Sequence, residues 1–222
     1  MAEKLDAYDI LAILVPGVLV IYVVLVLFPS LAAAVRPPEL PESFVFVVDL
    51  AAAIFLGHVI QTIGSLVVEP VLNRLWGGRP SETAVAEGLG ERYLPKETAE
   101  AIRAKLETTS GLAGRRSLFM FAMREARGRG RVDLFNALYA YHRALLTLVL
   151  LVIASFVLSR WLGAAANWDT LSLLVAFAVV IVLLLLVERR TKQRAFYFVR
   201  EVLLEAEKAL DERTVRLGGS RG

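Results

Sequence analysis

Apolar residues fall in four long runs, and the polar segments between them carry nearly all of the charge. Ile10–Phe28 is 19 residues without a charge, interrupted by Pro16-Gly17. Phe44–Val68 is 25 residues and differs from the rest in holding Asp49, His58, Gln61, Thr62 and Ser65. Leu145–Leu158 is uncharged, and Leu171–Val187 gives another 17 uncharged residues. Roughly 20 apolar residues on a helix cross a bilayer. The pattern therefore predicts an all-α integral membrane protein with four transmembrane helices, about 8–28, 44–68, 144–162 and 171–188. A signal peptide fits the first run less well than a retained span. The residues before it lack positive excess, and the run is longer than a usual signal core.

Between the second and third runs the period becomes that of amphipathic surface helices. Helices are expected at 82–89 with Ser81 as N-cap, at 95–107, and at 115–127. The chain thus reads as a transmembrane hairpin (1–80), a helical insertion (81–131) and a second hairpin (132–222). The helices of that second hairpin should run on past the bilayer over 132–162 and 171–212. Phe196, Val199, Leu203, Ala206 and Leu210 form a short heptad-like seam, expected to pack within the chain.

Composition supports this class. The chain is 57% hydrophobic, against about 45–50% for ordinary soluble domains. It has no cysteine, which excludes disulfides, thiolate chemistry and Cys-ligated metals, and its two histidines argue against a dedicated His-rich metal site. Charge distribution adds orientation. Residues 69–143 hold 13 basic residues, 188–222 hold nine and 1–9 hold one, whereas loops 29–43 and 159–170 hold one each. The positive-inside rule then places both termini and the insertion, with the C-terminal helix, in the cytoplasm. The YDILAILVPG opening and the FNALYAYHRAL entrance to the third run are similar in general style to small bacterial membrane proteins. That resemblance carries no function; the expected location is the plasma (inner) membrane, as a multi-pass protein.

The second run holds the candidate chemistry. At about 100° per residue, His58, Gln61, Thr62, Ser65 and Glu69 fall on one face, with Asp49 opposite. Polar groups in a span are expensive and turn toward protein or water. Asp49, His58, Gln61 and Ser65 are therefore the intramembrane polar candidates, for an ion path or for interhelical hydrogen bonds. His58, Gln61 and Ser65 are expected to face other helices or a central cavity. Ala53, Gly57 and Gly64 form a small-residue stripe beside them, suited to close helix packing. Outside the spans, Arg115, Arg116, Arg124, Arg127, Arg129 and Arg131 form the densest basic cluster, suited to anionic lipid head groups or a phosphate-bearing ligand. Gly128 and Gly130 between them make no phosphate-binding fingerprint.

No catalytic motif and no cofactor signature is present. The functional expectation is a non-enzymatic, homo-oligomeric protein, a channel-like element or a membrane-disrupting effector with a basic regulatory module. The alternatives are a scaffold or partner subunit whose cytosolic helices bind another protein and, behind it, a membrane-embedded lipid enzyme. Nucleic acid is the least favoured partner.

Overall fold

A computed structural model describes residues 9–27, 41–161 and 170–219, and the described residues are helical with no strand. The helices are α1 (Val15–Leu27), α2 (Glu42–Ile63), α3 (Glu69–Leu75), α4 (Pro80–Glu87), α5 (Lys96–Ser110), α6 (Arg115–Ala126), α7 (Val132–Trp161) and α8 (Thr170–Gly219). Short π-helical segments precede α1 (Asp9–Leu14) and α3 (Gly64–Val68). Each ends two residues before a proline, Pro16 or Pro70. A proline ring crowds the carbonyl four residues back and brings no N–H to it. The wider π turn is one way to absorb that misfit.

The segments Glu42–Glu87 and Val132–Ser155 each contain a helix long and apolar enough to cross a membrane, and the apolar helix Ile10–Leu25 is shorter. The apolar surface of the first is not a buried core. Phe46, Phe55 and Leu66 are 67%, 68% and 71% exposed, a large unpartnered apolar area of the sort that meets lipid. The expected loops 29–43 and 163–170 fall largely outside the described residues.

The chain divides into two compact units, Met1–Glu69 with Ala140–Thr191, and Pro70–Tyr139 with Lys192–Gly222. These boundaries differ from a division at residues 81 and 132, because α7 and α8 each supply residues to both units.

In the first unit, α1 and α2 meet through small residues. A Cβ added to Gly17 would overlap the main-chain carbonyl of Ala53, and one on Gly57 would overlap that of Ile13. Backbones this close need residues without side chains at the crossing. Ala12, Ile13, Pro16, Gly17, Ala53, Gly57 and Ile60 are buried there.

The second unit is a helical domain with its own core. α5 buries Ala99, Ile102 and Leu106 at spacings of three and four, and α6 buries Leu118, Phe119, Ala122 and Ala126. The seam of α8 closes on them, with Val199, Leu203, Ala206 and Leu210 buried and Phe196 packed alongside. Tyr93 meets Phe196 and Tyr197 edge-on at 5.4 and 5.3 Å, and Phe119 meets Phe198 at 6.5 Å. Such edge contacts suit the aromatic quadrupole.

Local boundaries differ from expectation at α4. It starts at Pro80, with Arg79 extended before it and no side-chain cap. Proline's fixed φ favours the first helical position, so the helix opens at Pro80 and Arg79, not Ser81, stands at the N-cap. α4 ends at Gly88, whose φ of 79° suits glycine. The chain then turns tightly, with Leu89 N donating to Leu94 O at 2.8 Å.

Candidate functional site

The polar residues of α2 separate into two sets. Gln61 is buried, at 8% exposure. Its Nε2 donates to the main-chain oxygens of Ala12 (2.6 Å) and Ala140 (3.0 Å), and its Oε1 accepts from Arg143 Nη2 at 3.0 Å. Arg143 Nη1 in turn donates to Glu69 Oε2. One amide therefore ties α2 to the segment before α1 and to α7.

The Ala12 contact has a cause in the sequence. Its carbonyl sits four residues before Pro16, which has no N–H to give it. Gln61 supplies a donor instead, satisfying a main-chain acceptor that would otherwise be costly to bury. Arg143 lies against the same crossing. A Cβ on Gly64 would sit 3.0 Å from Thr147 Oγ1 and 3.4 Å from Arg143 Cγ. Thr147 and Thr191 are buried too, at 1% and 0% exposure. Thr147 Oγ1 donates to Arg143 O (2.9 Å), and Thr191 Oγ1 donates to Val187 O (2.7 Å) and His142 O (3.3 Å). The last bond joins α8 to α7 inside the first unit.

His58, Thr62 and Ser65 make the second set, and all three are exposed in the single chain. Thr62 Oγ1 donates to His58 O at 2.8 Å and Ser65 Oγ to Thr62 O at 3.0 Å, so both hydroxyls are satisfied on their own helix. Of the three residues expected to face other helices or a central cavity, Gln61 is buried against the chain's own helices, while His58 and Ser65 are exposed on the single chain. The inward face of α2 is the small-residue stripe of Ala53, Gly57 and Gly64, with Gln61 at its edge. Close backbone packing needs that stripe inside, and a stripe about 100° away must then turn outward.

Asp49 is half-buried on α2, beside a cleft of about 270 Å³ that Val18, Tyr22 and Leu25 of α1 also line. The basic cluster also divides. Arg115, Arg116, Arg124, Arg127 and Arg131 are exposed and Arg129 is half-buried. Arg124 lies 3.3 Å from Glu125, and Arg129 pairs with Glu212 of α8 at 3.0 Å. Lys105 and Arg213 form further ion pairs, with Asp211 and with Glu125. On α8, the Glu205 carboxylate accepts a hydrogen bond from Lys208 and raises its ammonium pKa above the usual lysine value.

The composition showed Arg143 only as a basic residue at a span entrance and Glu69 only as the end of a polar stripe. That Arg143 bridges Gln61 and Glu69 is not legible in the sequence. The readable signal was Pro16, which marks the Ala12 carbonyl as needing a donor.

Chemically, this network holds rather than reacts. Each side chain in it is engaged, and it contains no nucleophile beside a base. Among the described residues no group of three or more His, Cys, Asp or Glu side chains comes together. Comparison with protein-family models, curated proteins and solved structures finds no match. What stands is the class: among the described residues, an all-helical protein with two helices long and apolar enough to cross a membrane, and a second compact helical unit of Pro70–Tyr139 and Lys192–Gly222.

Proposed function

We propose that the protein is a four-span membrane protein that works as a homo-oligomer, a channel-like element or membrane-disrupting effector, with both termini and the second unit in the cytoplasm. The observation that carries the reading is the outward polar stripe His58, Thr62 and Ser65 on a helix otherwise apolar enough to cross a bilayer. An imidazole turned to hydrocarbon loses its hydrogen bonds at a cost of several kcal/mol. A second copy of the chain, or a water-filled path between copies, removes that cost. The inward network of Gln61, Arg143 and Glu69 keeps each subunit's own helices together, leaving the stripe free for assembly.

The spans 8–28 and 171–188 belong to this proposal, as does the orientation, which rests on 23 of the 25 basic residues lying on one side of the four runs. The absence of cysteine makes the test clean, because a single introduced thiol is the only one present. His58→Cys and Ser65→Cys, oxidised in native membranes, should give a covalent dimer, whereas Phe55→Cys should not. Purified protein in liposomes should pass ions, and His58→Leu should change that flux. No cross-link at either position, with vesicles that stay tight, refutes the proposal. Cross-linking with tight vesicles assigns the assembly to a scaffold instead.

A further inference from the structure

The second unit holds a concentration of charge that the membrane network does not use. Arg124, Arg129, Arg213 and Arg216, with Glu125 and Glu212, line a cleft of about 240 Å³ between α6 and the end of α8. Two of these arginines belong to the basic cluster of the insertion, and the other two come from more than 80 residues further along the chain. We infer that this cleft binds a phosphomonoester, either the head group of an anionic lipid or a small free phosphate.

Charge sets the ligand class. Four guanidinium groups face two carboxylates, so two positive charges remain uncompensated in one cleft. A phosphomonoester near neutral pH carries close to two negative charges. Geometry adds to this. The Glu125 side chain is 9% exposed and lies between Arg124 at 3.3 Å and Arg213 at 2.7 Å. Glu212 Oε2 takes both Nη atoms of Arg129, each at 3.0 Å. The Arg124 guanidinium also rests over the Phe121 ring, 5.1 Å from its centre. Three of the four guanidinium groups are thus held before any ligand arrives, which lowers the ordering cost of binding. Arginine is suited to the task because its fork matches phosphate oxygens two at a time. Size narrows the ligand further. Pockets for drug-sized molecules measure about 300–1,000 Å³, so this cleft suits a head group rather than a whole nucleotide.

The test uses the full chain. Glycerol 3-phosphate is titrated calorimetrically into protein in detergent and in nanodiscs. Nanodiscs of phosphatidic acid, a monoester, are compared with nanodiscs of phosphatidylglycerol, a diester. Arg216→Gln is compared with Arg116→Gln, which removes the same charge outside the cleft, and Arg216→Lys keeps the charge but loses the fork. The expected result is saturable binding weakened about tenfold by Arg216→Gln, less by Arg216→Lys, and less than about twofold by Arg116→Gln. If the source is lipid, phosphatidic acid but not phosphatidylglycerol suppresses the titration. If the source is a free phosphate, the titration is the same in both. Absence of saturable binding to either probe overturns the site. Equal weakening by Arg116→Gln and Arg216→Gln does so as well, since it would reduce the effect to diffuse surface charge.

Discussion

Exchanging Gln61 for methionine removes the polar network while keeping an unbranched side chain of similar length. Three hydrogen bonds are lost, two to main-chain oxygens and one from Arg143. Interhelical hydrogen bonds in membrane proteins average about 0.6 kcal/mol. A bond to a charged group contributes about 1.5 kcal/mol at the lower end of its range. Gln61→Met should therefore cost about 3 kcal/mol. The Ala12 contact can be isolated within that figure. In a Pro16→Ala background the helix regains an N–H four residues after Ala12, so its carbonyl no longer depends on Gln61. Gln61→Met should then cost about 0.6 kcal/mol less than in the parent chain. Reversible unfolding in mixed micelles, followed by helicity in a double-mutant cycle, measures that coupling. The buried volume lost with the Pro16 ring cancels in the cycle. Equal costs in the two backgrounds, within about 0.3 kcal/mol, refute the idea that Gln61 substitutes for the donor proline lacks.

Other perturbations should behave as their surroundings dictate. Gly57→Ala places a Cβ on the Ile13 carbonyl and should destabilise the first unit by about 1–3 kcal/mol, the range for overpacking. Arg143→Met strands the Glu69 carboxylate and should cost about 2–3 kcal/mol, below the 3–5 of a fully buried pair because Glu69 is 31% exposed; adding Glu69→Gln should recover part of it. Leu106→Ala, at a side chain with 0% exposure in the second unit, should cost about 2–5 kcal/mol. Lys96→Ala should change stability by less than about 0.5 kcal/mol, because the Lys96–Glu100 pair is 68% and 57% exposed.

What the sequence alone determined was local. Apolar runs and their lengths marked the helices, and the period of three and four along 196–210 marked the face of α8 that becomes core. Glycine and proline set most of the breaks, since they act through φ and the missing N–H of single residues. Even the small-residue stripe of Ala53, Gly57 and Gly64 was legible, as a place where a backbone could approach. Which stripe of α2 turns inward was not legible. Small and polar residues both have reasons to avoid lipid, and the choice followed from the fit of Gly57 against Ile13 and Gly17 against Ala53. That fit drew Gln61 inside and left His58 and Ser65 outside. The charge pattern likewise decided little until the chain folded. Arg129 meets Glu212, and Arg213 meets Glu125, across more than 80 residues. Charges that far apart in sequence find each other only when α6 and α8 bury a shared apolar face, because hydrophobic packing sets the register of the helices and the ion pairs form where it leaves them.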